Sequence, residues 1–355
     1  MNNKGLEYIN KRLPAEWERC GRILMSWPHI DTDWADVIEE AREQFARLTA
    51  AFVSNGDKVL MLTANQHETM TFLMKWFDRN GFEVSLLDNV ECLYYVCNDT
   101  WTRDYGPLSV INEDNGDVLT LDFGFNAWGL KFAAGKDNQA TAFMAQHDVI
   151  PQEGYVDCRD FILEGGSVET DGKGTLLTTS ECLLNPNRNP TYTRSEIEDI
   201  LHKRLGFIRF LWLEHGHIEG DDTDSHIDTL ARLAPGDVIY YCGPGEEMNE
   251  SLVKMRDELK ALRTADGQPY HLVELPLPDA IYDEEGNRLA ATYANYLVTE
   301  KAVYVPIYKQ PLKDEMAVMM LSVAYHDRKI VPVDCTTLIK QGGSLHCSTM
   351  QLLQR

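Results

Sequence analysis

The sequence predicts an α/β fold in which short strands and single helices alternate along one domain covering residues 1–355. Apolar runs of strand length recur from residue 22 to residue 333, and segments of helical period lie between them. No Gly/Ser-rich linker or low-complexity stretch divides the chain. The last four helices are predicted to begin near residues 137, 193, 247 and 312. Their spacing of roughly 55–65 residues indicates radial or solenoid repetition of strand–helix units.

Helical periodicity is clearest between residues 33 and 55. Trp34, Phe45 and Phe52 lie on one face of that segment, and Gly56 ends it. Weaker patterns of the same kind predict the other helices, at residues 66–79, 137–148, 193–205, 247–264 and 312–327.

Strands are predicted where short apolar runs end at a turn signal. The first covers residues 22–27 and stops at Pro28, which has no N–H for a sheet ladder. Asn115-Gly116, between two apolar runs, is typical of a hairpin. The other predicted strands cover residues 58–63, 94–96, 101–108, 161–169, 174–178, 208–213, 227–233, 238–241, 272–273, 296–298, 303–305 and 329–333.

Composition and charge argue against several classes of protein. No window approaches the ~18 uninterrupted apolar residues of a membrane span. A formal net charge of −23 argues against a nucleic-acid or anionic-membrane partner and is compatible with a small cationic substrate. The N-terminus has no secretory signal pattern, and the eight cysteines are scattered without a C-x-x-C pair. We therefore expect reduced thiols and a cytoplasmic protein.

Four polar positions interrupt otherwise apolar segments. They are Asp104, Glu164 before two glycines, Asp228 with the neighbouring His226, and Cys347 among small and polar residues. Asp104, Glu164, Asp228 and Cys347 are separated by 60, 64 and 119 residues, close to one, one and two repeats. If the repeats are arranged about an axis, the four positions meet at one site.

Each position also has an interpretation without chemistry. Asp104 can pair with Arg103 at the surface, Glu164 can cap a turn, and residues 221–228 can form a solvated loop. Cys347 can be one more structural thiol. Each of these interpretations is less favoured when the four positions are considered together, because strands rarely carry buried acids unless the acids are paired.

Together, the carboxylates, the imidazole and the thiol suit attack on the electron-poor carbon of a planar cation. Two carboxylates can hold a guanidinium group through charge-assisted hydrogen bonds. A thiolate can attack its central carbon. A histidine oriented by a carboxylate can protonate the departing ammonia and later activate water. This chemistry requires no metal or organic cofactor.

Several segments resemble those of the agmatine deiminases, which belong with the bacterial-type peptidylarginine deiminases in the guanidino-group-modifying superfamily. These segments are residues 13–18, Trp27-Pro28, and residues 103–107, 163–166, 226–228 and 342–347. The resemblance extends from about residue 13 to residue 351. It implies a five-bladed α/β propeller, the pentein fold, with pseudo-fivefold symmetric strand–helix repeats.

The resemblance also implies a role for each matching residue. Cys347 corresponds to the nucleophile, His226 to the general acid/base, and Glu164 to the acid that orients this histidine and helps bind the guanidinium. Asp104 and Asp228 correspond to the guanidinium-binding carboxylates. With agmatine, the products would be N-carbamoylputrescine and ammonia, formed through a covalent amidino-cysteine as a step of putrescine biosynthesis.

The sequence leaves more than one substrate open for this reaction. Trp101 is expected in the wall of the substrate channel, although a core position also suits it. Tyr105 and Ser344-Leu345 depart from the family's usual residues beside the site. Peptidylarginine or free arginine is therefore an alternative substrate, one whose carboxylate calls for a cation near the channel.

Two alternatives differ in class. Residues 224–228 read D-x-H-x-D, the spacing of the dimanganese ureohydrolases, but the second aspartate-rich strand and upstream histidine motif of that family are missing. This alternative also leaves Cys347 without a role. The other alternative is a non-catalytic binding protein that keeps the propeller. A homo-oligomer is expected only from the habit of the family.

Overall fold

A computed structural model describes residues 3–353 as alternating strands and helices, the mixed α/β fold that the sequence predicts. The strands are β1 (Lys11–Arg12), β2 (Arg22–Ser26), β3 (Val59–Thr63), β4 (Val90–Tyr94), β5 (Leu108–Asn112), β6 (Val118–Gly124), β7 (Tyr155–Ile162), β8 (Glu169–Thr170), β9 (Thr175–Thr179), β10 (Arg209–Leu213), β11 (Ala231–Ala234), β12 (Val238–Cys242), β13 (His271–Leu275), β14 (Ile281–Tyr282), β15 (Arg288–Leu289), β16 (Leu297–Val298), β17 (Ala302–Ile307), β18 (Lys329–Asp334) and β19 (Met350–Leu352).

Helices and single helical turns lie between these strands. They are α1 (Ile38–Ser54), α2 (Gln66–Arg79), α3 (Thr102–Tyr105), α4 (Ala127–Leu130), α5 (Ala140–Gln146), α6 (Ser180–Leu183), α7 (Arg194–Leu205), α8 (Ile227–Leu230), α9 (Glu250–Ala261) and α10 (Pro311–Ala324). Short 3₁₀ segments cover Asn3–Tyr8, Ala35–Val37, Val84–Asn89, Asp137–Gln139, Gln152–Gly154, Gly165–Ser167 and Leu338–Gln341.

Five sheets of three or four strands repeat one pairing pattern. Each contains an antiparallel pair, namely β5–β6, β8–β9, β11–β12, β16–β17 or β19–β2. The second strand of each pair continues through a helical crossover into a parallel neighbour. A separate hairpin joins β14 and β15. The strand–helix repeat predicted from helix spacing is therefore present.

The fifth sheet joins the two ends of the chain. Its order is β19-β2-β3-β4, with Met350 opposite Leu24 in the antiparallel pair. This pairing places the segment that precedes β19, which contains Cys347, beside the N-terminal strands. The sheet is stabilised by burial of β3 along its whole length and by Phe45 and Phe52 of α1.

The predicted helices are confirmed within a few residues, whereas three predicted strands are partly wrong. Residues 101–108 and 227–233 each begin as a helical turn, α3 and α8, and only then become β5 and β11. Residues 161–169 leave the sheet after Ile162 and pass through a 3₁₀ turn. A fourth predicted strand, residues 94–96, is also partly wrong, because only Tyr94 belongs to a strand, as the last residue of β4. No helix within residues 3–353 is long and apolar enough to cross a membrane.

Candidate active site

Every predicted polar position lies on the turn that precedes the first strand of an antiparallel pair. Asp104 precedes β5, Glu164 precedes β8, Asp228 precedes β11 and Cys347 precedes β19. The equivalent turn before β16 contributes Asn295. Turns of one kind from five similar sheets thus supply the groups of one site, and this explains why the strand predictions failed there.

Cys347 is buried, and its thiol lies beside an amide. Asn295 Nδ2 is 3.3 Å from Sγ, and Asn295 Oδ1 accepts from the backbone N–H of His346 at 2.9 Å. Burial raises the pKa of Cys347 well above that of a free thiol, and the charges of Asp228 and Asp104 raise it further. The free protein therefore holds this residue as a neutral thiol at neutral pH.

Asp104 is held by two donors. Gly166 N donates to Oδ1 at 3.0 Å, and Trp128 Nε1 donates to Oδ2 at 2.9 Å. Burial raises the pKa of Asp104 to about 6, although His226 and the bond from Trp128 oppose this. Arg103 does not pair with Asp104 at the surface, since its guanidinium is buried and donates to Gln351 Oε1 at 2.8 Å.

Trp128 reaches Asp104 from a turn with left-handed backbone. Residues 127–130 all have positive φ, between 53° and 84°, which is costly for residues other than glycine. The side chain of Asn126 accepts from the N–H of Gly129 at 3.1 Å, and Phe125 packs edge-on against Trp128. These contacts and the bond to Asp104 hold the tryptophan in this conformation.

His226 is completely buried and lies between two carboxylates. Nε2 is 2.7 Å from Glu164 Oε2, and Nδ1 is 3.5 Å from Asp104 Oδ1. Burial alone would lower the pKa of His226, but the charge of Asp104 and the contacts with Cys182 and Glu164 raise it well above its ordinary value. The imidazolium form is therefore the stable one.

Glu164 is fixed from its other side by Arg188. Nε of this arginine is 3.0 Å from both carboxylate oxygens, and Nη2 donates to Oε2 at 2.8 Å. Burial opposes ionisation of Glu164, but the bonds from His226 and Arg188 lower its pKa. Arg188 also donates to Asp224 Oδ2 at 2.7 Å, which ties the loop before His226 to the same ion pair.

Asp228 is oriented by a second buried histidine. His346 Nδ1 is 2.7 Å from Asp228 Oδ2, and its Nε2 lies 2.8 Å from Glu16 Oε2 and 3.3 Å from Arg232 Nη2. Arg232 continues the network to Glu169 at 2.6 Å. Burial raises the pKa of Asp228, but the bond from His346 and the positive charges of the neighbouring histidines and Arg232 together outweigh it, so the pKa is lowered. Asp228 is therefore a buried carboxylate that remains ionised.

Two buried atoms at the centre of the site have no hydrogen-bond partner among residues 3–353. They are Asp228 Oδ1 and His226 Nδ1. Both side chains, together with Asp104, surround Gly166. A Cβ atom there would lie 2.5 Å from His226 Nδ1 and 2.8 Å from Asp104 Oδ1. Only glycine allows these groups to come so close, and the two atoms without a protein partner can bond a polar ligand.

A pocket leads from the surface to Cys347 and Asp104. Trp101 and Trp128 line it. That this pocket is the substrate channel, with Trp101 in its wall, stays a prediction. Acidic residues also line it, namely Asp33, Asp99 and Asp222. Burial raises the pKa of Asp99 to about 7, and the charges of Asp33 and Asp222 add to this. The wall thus favours positive charge.

The D-x-H-x-D segment does not gather its three side chains. Asp224 turns to Arg188 and to Lys131 Nζ, at 2.7 and 2.8 Å, whereas Asp228 turns to His346. In the described residues, His226 instead forms a possible metal-ligating group with Glu164 and Cys182. A cation there would lie beside the guanidinium of Arg188, which already occupies both oxygens of Glu164.

Three positions of the site were not predicted from the sequence. Asn295 lies between Asp228 and Cys347, which are about two repeats apart, so the repeat spacing could have indicated it. Arg188 and Trp128 stand in loops without a comparable signal. Their roles depend on contacts that join residues 24 or more positions apart.

Comparison with known proteins gives matches along almost the whole chain. A family model described as "Porphyromonas-type peptidyl-arginine deiminase" matches residues 12–352. The "Putative agmatine deiminase 2" of Listeria monocytogenes is 32% identical over 367 residues, which cover 96% of this chain and 94% of the relative.

Solved structures agree with this match. A crystal structure described as a "putative peptidyl-arginine deiminase" is 41% identical, with a TM-score of 0.88, and the match covers 98% of this chain and 99% of that one. The C. jejuni agmatine deiminase with substrate bound is 36% identical, with a TM-score of 0.84, over 97% of this chain and 96% of that one.

Proposed function

The chain belongs to the Porphyromonas-type peptidyl-arginine deiminase family of hydrolases, and we propose that it converts agmatine to N-carbamoylputrescine and ammonia through a covalent cysteine intermediate. The observation that carries this proposal is the unpaired, ionised Asp228 Oδ1 beside a buried thiol. A guanidinium group supplies planar N–H donors for this oxygen and for Asp104, and it places an electrophilic carbon at Cys347.

Substrate binding activates the nucleophile in this proposal. The pKa of Cys347 is high because of burial and two carboxylates, and the guanidinium cation neutralises those carboxylates. The thiol then loses its proton to solvent through the open pocket. Its sulfur attacks the guanidinium carbon and forms a tetrahedral adduct.

His226 then serves twice. As an imidazolium it gives a proton to one amino group, which leaves as ammonia, and an amidino group remains on Cys347. The neutral imidazole takes a proton from water, whose oxygen adds to the same carbon. Collapse of the second adduct breaks the C–S bond and releases the carbamoyl product. Glu164, fixed by Arg188, keeps the ring in place throughout.

The acidic lining of the pocket favours agmatine over arginine as the substrate. Its acidic residues Asp33, Asp99 and Asp222 suit the ammonium at the far end of agmatine and repel the carboxylate of arginine. Lys340 also lines the pocket, but its ammonium is 2.6 Å from Glu40. A carboxylate-bearing substrate would therefore have to compete with Glu40 for this cation.

The repeated sheets support a particular arrangement. We propose that the five sheets stand around a pseudo-fivefold axis as one propeller domain covering residues 1–355. Such an arrangement would bring the five equivalent turns, with Asp104, Glu164, Asp228, Asn295 and Cys347, to one end of the axis. We also retain a cytoplasmic location and a role in putrescine synthesis as parts of this proposal.

The decisive test compares agmatine, free arginine and an arginyl peptide as substrates, each with and without EDTA. Ammonia and urea are measured separately. We expect ammonia without urea from agmatine, unaffected by EDTA and absent from Cys347→Ala. Mass spectrometry of an Asp228 or His226 variant mixed with agmatine tests the intermediate, since an amidino group on Cys347 adds a defined mass.

Other outcomes would assign another function. Urea that disappears with EDTA while Cys347→Ala stays active would replace this proposal with metal chemistry. Ammonia only from arginine or the peptide would keep the reaction and change the substrate.

A Cys182→Ala variant is the matched control, because Cys182 is also a buried thiol near His226. It should still release ammonia.

A further inference from the structure

A second cavity lies beside the sheet that joins the two ends of the chain. It has a volume of about 230 Å³ and shares no lining residue with the pocket at Cys347. One wall contains Arg22 of β2 and Leu352 of β19, which are opposite each other in that sheet. The other wall contains Ser109 of β5 and Thr120 of β6, which are also opposite each other. The cavity thus lies between two of the five sheets.

The remaining lining of this cavity is mostly apolar. Val118 and Ile150 are buried there. Asp148 and Pro151 are exposed, so the cavity opens to solvent beside these two residues. A protein cavity of roughly 150 Å³ is large enough to hold benzene. This one therefore has room for a six-membered ring that carries a small substituent.

Two buried polar atoms, one on each wall, have no hydrogen-bond partner among residues 3–353. They are Nε of Arg22 and Oγ of Ser109. The other two nitrogens of Arg22 donate to Glu91 Oε2 at 2.7 Å and to the carbonyl of Val149 at 2.9 Å. A guanidinium N–H can only donate, and a serine hydroxyl can also donate. A buried donor without an acceptor is costly, and an acceptor oxygen in the cavity would remove that cost.

We propose that this cavity binds a small uncharged molecule with an apolar body and one acceptor oxygen, such as a ketone or an amide. The apolar lining contacts the body, and Arg22 Nε or Ser109 Oγ donates to the oxygen. Charge disfavours an anion, because Arg22 is already paired with Glu91, Asp148 lies at the opening, and the protein carries −23. A cation would find no buried carboxylate in the lining.

The test measures the binding of three probes of similar size to the full-length protein by ligand-observed NMR titration. Acetophenone has the acceptor oxygen, toluene lacks it, and benzoate carries a negative charge. We expect acetophenone to bind with a Kd on the order of 1 mM or below, as a ligand of this size allows. Toluene should bind roughly 2–10-fold more weakly, which is the effect of one hydrogen bond. Benzoate should bind more weakly than both.

Variants locate the bound probe. Val118→Phe fills the cavity and should abolish the binding of acetophenone and of toluene. Ser109→Ala and Arg22→Lys each remove one donor, and at least one of them should abolish the advantage of acetophenone over toluene. Ser180→Ala is the matched control, because Ser180 Oγ is also buried without a partner among the described residues but does not line this cavity. It should leave all affinities unchanged.

Thermal unfolding shows that each variant is folded, and acetophenone should raise the Tm of the wild type, since a ligand of the native state stabilises it. Acetophenone binding that survives Val118→Phe would overturn the proposal, and so would equal affinities of acetophenone and toluene. Benzoate as the tightest probe would overturn it in favour of an anion site. Failure of every probe to bind up to its solubility limit would show a cavity for water only. None of these outcomes depends on the reaction proposed above.

Discussion

Two histidines near Cys347 have closely similar surroundings and different properties. His226 and His346 are both buried, and each has a carboxylate oxygen within 3.5 Å of both ring nitrogens. Their pKa values nevertheless shift in opposite directions. For His226, burial is outweighed by Asp104 and its other partners, and the pKa is raised. For His346, burial and the guanidinium groups of Arg103 and Arg232 lower it.

The difference shows that adjacent carboxylates alone do not raise the pKa of a buried histidine. Arg232 is within 3.3 Å of His346 and already neutralises Glu16. The ring of His346 holds the carboxylate of Asp228 through Nδ1. His226 Nδ1 instead lies 3.5 Å from Asp104 Oδ1 and makes no hydrogen bond within the described residues. In the proposed reaction the ring of His226 moves protons, and the ring of His346 orients a carboxylate.

The largest expected effect comes from removing the proton-carrying ring. We expect His226→Asn to lower kcat by roughly 10²–10⁴-fold, the usual contribution of a general acid/base. The measurement is steady-state release of ammonia from agmatine. His67→Asn, at an exposed position of α2, is the control and should retain full activity. An active His226→Asn would show that another group carries the proton.

A smaller effect is expected from His346→Asn. Loss of the bond to Oδ2 lets the carboxylate of Asp228 rotate, so we expect a roughly 10–100-fold loss of kcat/KM, as for other residues that orient a ligand-binding group. In His346→Asn the loss of kcat/KM should come mainly from a higher KM, whereas in His226→Asn it should come from a lower kcat. Equal effects of both variants on kcat would remove the distinction between the two rings.

Glu16→Gln is expected to act more weakly on the reaction. This change leaves Arg232 with one carboxylate partner, Glu169, and removes a charge from the far side of His346. We expect a loss of activity below about 10-fold and, because the ion pair is buried, a loss of stability of about 3–5 kcal/mol. Thermal or urea unfolding measures the latter. Glu18→Gln, at an exposed ion pair, should change neither property much.

The smallest expected effect is a shift of a pH profile. Asp104 must be ionised to bind a guanidinium, and its pKa is about 6, so kcat/KM should fall as the pH decreases through about 6. Trp128 Nε1 donates to this carboxylate and thereby favours its charged form. Trp128→Phe should therefore move the acidic limb to higher pH, by roughly 1 unit. A limb that moves to lower pH would contradict this assignment.

The sequence predicted the residues of the site better than their local structure. Asp104, Glu164, His226, Asp228 and Cys347 stand out because polar residues interrupt apolar runs, and the structure brings all five together. The same apolar runs led to strands at residues 101–108 and 227–233, where the chain first makes a helical turn. Aromatic and branched residues favour strands, but here they are buried beneath turns by tertiary contacts.

The supporting residues could not have been predicted in the same way. Glu16 is 330 positions from His346, and Arg188 is 24 from Glu164. No local pattern indicates which buried cation will neutralise which acid. In the sequence, only the resemblance to a family distinguishes the segment around Glu16. The contacts then show that Glu16 belongs to the network behind Asp228.

The high pKa of Cys347 also bears on how this residue meets oxidants. Peroxides and alkylating agents react with thiolates, and a buried neutral thiol is a poor target for them. Most of the chain's other cysteines are buried too. In the reaction proposed above, the carboxylates that bind the guanidinium are also the groups that keep Cys347 protonated before substrate arrives. On that proposal, oxidants should damage the substrate-free protein more slowly than the occupied one.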